Sequence, residues 1–245
     1  MLRLLAGLAL GPTAALTLGA AALGLGQAVL SAPSVLPFTL GLALSSAACL
    51  AGRWLGHDKT GSWKALDSAL SRAYVFGHEL THALAAWCSG AKVMGFKAGE
   101  KSGHVDVSES NAFIALSPYC LPVYSLAALA GYRLWLWWRP ESPAFWLFLL
   151  LMGATLSFHL IKTFECLCES TQPDLNAAGG AVFSLAWIAL ANGLVMLLLV
   201  KALFPCSVSL LESARWVAVH SASFWIAAWR FIEPLQRSFL VQVQR

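Results

Sequence analysis

His78-Glu79-Leu80-Thr81-His82 is the stretch of this sequence best equipped for chemistry. It is an HExxH pattern: in a helix, residues i and i+4 share a face one turn apart, so both imidazoles can bind one metal ion while the carboxylate between them lies beside it. That is the arrangement of zinc hydrolysis, with His78 and His82 as ligands and Glu79 as the general base that takes a proton from water. A hydrolytic zinc site needs a third protein ligand and one open position. The side chains available for this are Asp174, Glu169, Glu165, His104 and His159. Asp174 leads, because Gln172-Pro-Asp-Leu-Asn176 ends a polar connection and opens a later apolar block, where a carboxylate can project toward the HExxH helix. Its competing role is a helix N-cap, a place Asp favours, with Pro a common neighbour.

The surroundings of the motif are apolar. Of 245 residues, 58% are hydrophobic and 11% charged, where a soluble domain carries about 25% charged residues. Together with a mean hydropathy of +0.68, this excludes an ordinary cytosolic enzyme and a disordered chain and points to a protein embedded in a lipid bilayer. The 16 Lys and Arg against 12 Asp and Glu are spread thinly between apolar blocks, so nothing suggests a nucleic-acid partner. Six cysteines form no CxxC pair, and most sit in or beside apolar runs, where free Cys acts as a small hydrophobe.

A transmembrane helix needs about 20 mainly apolar residues. Such runs occur at Leu4–Leu30, Val35–Leu55, Leu66–Cys88, Ala112–Trp138, Ala144–Ile161, Ala178–Phe204 and Val208–Ile232. The expected fold class is therefore an all-α polytopic membrane protein with six to seven transmembrane helices. The first run is too long for a signal-peptide core and reads as a retained span. The last carries Glu212, Arg215, His220 and Arg230 and could lie in the interface instead. The third holds Asp67, Arg72, His78, Glu79 and His82, and ionisable groups at membrane depth need a reason. A metal is one; a polar contact between helices, with Arg72 pairing Glu79, is the other.

After the third run, Val93 to Lys97 and His104 to Ser108 read as strands joined by Gly99-Glu-Lys-Ser-Gly103, giving a small membrane-associated β-hairpin. Pro118 and Pro122 should kink or interrupt the fourth run. The chain thus divides into two N-terminal helices (1–64), a core from the HExxH helix through the Asp174 segment (65–206), and a C-terminal helix and tail (207–245).

An HExxH in an apolar helix, a downstream hairpin with Gly99 and Gly103, and a distant Pro173-Asp174 opening a later helix together resemble the site-2 protease family of intramembrane zinc metalloproteases. The likeness covers roughly residues 66 to 204. It implies that His78, His82 and Asp174 bind Zn2+, that Glu79 is the catalytic base, and that the β-loop helps present a transmembrane protein substrate. The family's distal motif usually reads Asp-Gly, whereas Leu175 follows Asp174 here. Because substrate helices hide their carbonyls in hydrogen bonds, a scissile segment must unwind, and an edge strand can hold it by strand addition. That makes His104 and Asp106 substrate-binding candidates, with solvent-facing loop positions as the plainer alternative; Asn176 is a further hydrogen-bonding candidate at the site.

Two other functions fit parts of the pattern. A membrane metalloprotease with a Glu third ligand would use Glu165 or Glu169, which stand four residues apart. A non-proteolytic metal- or haem-binding membrane protein or transporter would use the histidines alone, and would have no need of Glu79.

Overall fold

The computed structural model describes residues 1–32, 34–55, 61–100, 102–141, 144–169 and 172–243, with no side chain described at 169 or beyond 234. Two helices come first, α1 (Leu2–Ser31) and α2 (Leu36–Leu55), then α3 (Ser62–Cys88), which bears the HExxH pattern. A hairpin of β1 (Val93–Ala98) and β2 (Gly103–Val107) leads to α4 (Ala112–Cys120) and α5 (Val123–Trp138). The chain continues through α6 (Phe145–Glu169), the short α7 (Pro173–Ala178), α8 (Ala181–Leu203) and α9 (Leu210–Val243).

Four of these helices, α1, α2, α6 and α8, are long and apolar enough to cross a membrane; the bent pair α4 and α5 makes a fifth if counted as one span. This corrects the expectation of six to seven. The third run falls short because Asp67, Arg72, His78, Glu79 and His82 dilute its apolar residues, and the last because Glu212, Arg215, His220, Arg230 and Glu233 do the same. The fourth run breaks at Leu121-Pro122, with a bend of 71° between α4 and α5. Pro122 can start α5, where no backbone donor is needed, but cannot continue α4. The sixth run also breaks. Gly179 and Gly180 have φ of +127° and +99°, a region that glycine alone enters without cost, and so the Asp174 segment becomes a separate helix ahead of α8.

α1 packs along α8, and α2 along α6. The main core gathers Phe38, Leu149, Met152, Leu197, Val200 and Phe204, with the Phe38 and Phe204 rings edge to face at 5.5 Å. Two smaller apolar clusters position the chemistry. Leu116 and Tyr119 of α4 pack with Leu175 and Ala178 of α7 and Ile188 of α8, while Ile114 of α4 packs with Ala85 and Ala86 of α3. α4 therefore wedges between the HExxH helix and the Asp174 helix.

The strands form where expected, within a residue, pairing antiparallel with Phe96 opposite Val105 and Lys97 opposite His104. Alternation puts Gly103, Val105 and Val107 on the half-buried face and His104 and Asp106 on the exposed one. Val107, with Val93, rests against the Ala85 and Ala86 surface of α3, so the hairpin is held to the helix that carries His78, Glu79 and His82.

Candidate metal centre

Helical spacing places His78 and His82 on one face of α3, with ring centroids 4.9 Å apart. Asp174, on the first turn of α7, comes to that face from the far part of the chain. Its Oδ2 lies 3.6 Å from His78 Nε2 and 3.5 Å from His82 Nε2, and one ligand atom from each of the three residues lies within 4.8 Å of the others. Among the described residues this is the one group of three or more His, Cys, Asp or Glu arranged to hold a metal ion.

The two separations from Asp174 to the imidazoles fit a small tetrahedral cation. Metal–ligand bonds of about 2.0–2.2 Å at tetrahedral angles put neighbouring ligand atoms about 3.3–3.6 Å apart. A direct N–H···O hydrogen bond would draw the same atoms to about 2.9–3.0 Å. Two imidazole nitrogens and a carboxylate oxygen are also the donor set zinc takes at hydrolytic centres.

Two of the three candidate ligands, His82 and Asp174, are oriented by hydrogen bonds; His78 is held by ring contacts, its buried Nδ1 having no hydrogen-bond partner among the described residues. His82 Nδ1 donates to the Ile114 carbonyl at 2.9 Å, which puts the ring proton on Nδ1 and leaves the Nε2 lone pair for a metal. That carbonyl is free for a sequence-encoded reason. In α4 its ordinary partner would be the N–H four residues later, at position 118, and Pro118 has none. The proline that sequence reasoning assigns to a kink thus leaves a backbone acceptor for a candidate ligand.

Tyr119 is the residue that sequence reasoning misses. It is fully buried, donates from its hydroxyl to Asp174 Oδ2 at 3.0 Å, and sets its ring edge to face against His78 at 5.0 Å. A buried tyrosine seeks a partner for its hydroxyl, and that was the one available signal; no local pattern names the partner. Asn192 Nδ2 donates to the Tyr119 carbonyl at 2.7 Å, and Asn192 Oδ1 lies 3.1 Å from His159 Nε2. His159 therefore supports Tyr119 through Asn192 and is not among the clustered ligand atoms. Replacing Tyr119 by Phe keeps the ring and removes the hydrogen bond. Loss of such an outer partner costs about 10–100-fold in metal affinity, and Tyr119→Phe is expected at the lower end of that range in a zinc titration, because the two imidazoles are untouched.

Burial pushes the Asp174 carboxyl up, but the adjoining His78 and His82 imidazoles and the Tyr119 hydroxyl outweigh it and hold the group well below the usual carboxylate range. Asp174 is thus ionised beside the imidazoles, the form a metal ligand must take.

Glu79 is buried directly under the hairpin. A Cβ on Gly103 would lie 2.5 Å from Glu79 Cγ and 2.8 Å from its Oε1, so the absence of a side chain at the start of β2 lets the strand close over the carboxylate. Arg72 does not pair with Glu79, as the metal-free reading supposed; it reaches Glu100 at the hairpin turn, 3.0 Å away. A cavity of about 1050 Å³ opens over the centre, lined by His78, Glu79, His82 and Asp174 and, from the hairpin, by residues of β2 and the turn before it.

The remaining candidates are placed as follows. His104 reaches the cavity rim, but its ring is 60% exposed and faces Asp106 at 4.0 Å; Asp106 lies over Gly95 on the outer face. Asn176 is exposed, and its carbonyl accepts from Gly179 at the end of α7. The structure does not bring Asp106 or Asn176 to the cavity lining. Glu165 lines the cavity but has both oxygens engaged, by Lys162 at 2.9 Å and Arg53 at 3.4 Å. The side chain of Glu169 lies outside the described residues.

Comparison of the chain with family models, with curated proteins and with solved structures gives no match.

Proposed function

We propose that this chain is an intramembrane zinc metalloprotease of the site-2 protease kind, a multi-pass membrane protein that hydrolyses peptide bonds in transmembrane protein substrates. The observation that carries this reading is the convergence of Asp174 on the imidazole pair with Glu79 beside them, inside a cavity among apolar helices. A structural or haem-binding site would use the imidazoles without requiring a buried carboxylate one residue from a ligand.

His78, His82 and Asp174 would hold the ion, which when bound supplies Lewis acidity to polarise a carbonyl and acidify water. Glu79 accepts a proton from the water that adds to the scissile carbonyl, and returns it to the amine nitrogen as the C–N bond breaks. The hairpin over Glu79 limits solvent at the base. β2 and the turn before it line the cavity and β1 does not, and the edge of β2 away from β1 has no strand partner among the described residues. An unwound substrate segment added to that edge would have its bare backbone groups satisfied next to the reacting atoms.

Metal analysis of the protein purified in detergent tests the reading. About one zinc per chain is expected, removable by a strong chelator with loss of cleavage of a membrane-embedded reporter and restored by zinc. A folded protein that takes up no transition metal would overturn it.

A further inference from the structure

The helix that carries Asp174 has six residues, too few to persist on its own hydrogen bonds. Where Asp174 sits is decided by what grips α7 from outside. Tyr119 holds the N-terminal end through Asp174 itself, and Ser184 Oγ donates to the Leu175 carbonyl at 3.0 Å. The C-terminal end is held by a residue nearly the whole core away in sequence: Arg3 Nη1 donates to the Ala178 carbonyl at 2.7 Å.

This contact is built from both sides. Arg3 is the only charged residue in the thirty of α1. One turn further along, Gly7 seats α1 on the first turn of α8, where a Cβ would come within 2.7 Å of the Phe183 backbone. That close approach brings Arg3 over the end of α7. There the arginine stem lies across Gly179, and a Cβ on Gly179 would overlap it. The Ala178 carbonyl belongs to the last turn of α7, whose acceptors lack helical partners and favour a cation.

We propose that Arg3 is a positioning residue for Asp174: by clamping the C-terminal end of α7 it fixes the helix, and with it the carboxylate, at the distance the two imidazoles require. The inference rests on the metal-centre reading above. An arginine that merely anchored the end of an apolar helix at a membrane surface would be replaceable without consequence for the ion.

The test is a zinc titration against a competing chelating indicator, on the full chain in detergent, for the wild type, R3Q, R3K and H82A. The unfolding midpoint of each zinc-free protein is measured beside it. R3Q is expected to bind zinc about tenfold more weakly, the scale of losing a partner that orients a ligand. R3K keeps the charge and a donor and should fall between R3Q and wild type, with the zinc-free midpoints of all three alike. The proposal is overturned if R3Q binds as the wild type does, if R3K is no better than R3Q, or if the zinc-free midpoint of R3Q falls, which would make Arg3 a residue of general stability. Equal binding by the wild type and H82A is a different failure: it removes the metal centre itself, and the role of Arg3 with it.

Discussion

Glu79→Gln should abolish cleavage of a membrane-embedded reporter while leaving the zinc content of the purified protein unchanged. The amide has nearly the volume of the carboxylate, so the close packing of Gly103 over this side chain persists and the hairpin stays seated. What is lost is the ability to accept a proton from water, and positioned general acid–base groups contribute about 10²–10⁴-fold to rate. Both imidazoles and Asp174 remain as they were, which is why zinc binding and catalysis should separate in this variant. Cleavage at the wild-type rate would show that Glu79 is not the base.

Asp174→Ala is expected to have the converse signature, with loss of zinc as the primary event and loss of cleavage as its result. It removes one of the three proposed ligand atoms and takes the carboxylate from the Tyr119 hydroxyl, so the fall in affinity should exceed the roughly 10–100-fold that loss of a ligand's hydrogen-bonding partner costs. Glu165→Gln and Glu169→Ala are the comparison. Glu165 is held by Lys162 and Arg53 and does not join the His78, His82 and Asp174 cluster; the glutamine variant avoids the larger penalty of deleting the whole partner of a buried lysine. Both variants should retain zinc. Loss of zinc in either, with retention in Asp174→Ala, would move the third ligand to that glutamate.

The HExxH half of the proposed centre is local in sequence. His78, Glu79 and His82 lie within five residues, and helical periodicity alone places the imidazoles together once the segment is helical. The hairpin was equally legible, since alternation and glycine-bounded turns are properties of a dozen contiguous residues. The count of membrane-crossing helices was not. Scanning for apolar runs treats each as continuous, whereas Pro122 breaks one of them, and ionisable residues on α3 and α9 lower the hydropathy of two more.

Sequence by itself therefore determined the apolar helical character, the strand pair, and the one-turn spacing of two imidazoles around an acid, because each depends on neighbours within a few turns of backbone. Only the tertiary structure decided which acidic side chain joins them, that Tyr119 and the carbonyl left free by Pro118 orient Asp174 and His82, and that Asp106 and Asn176 stay outside the cavity. Those outcomes depend on how α4 wedges between α3 and α7 and how α1 meets the end of α7. Such contacts join segments distant along the chain, and no pattern inside either segment encodes the distance between them.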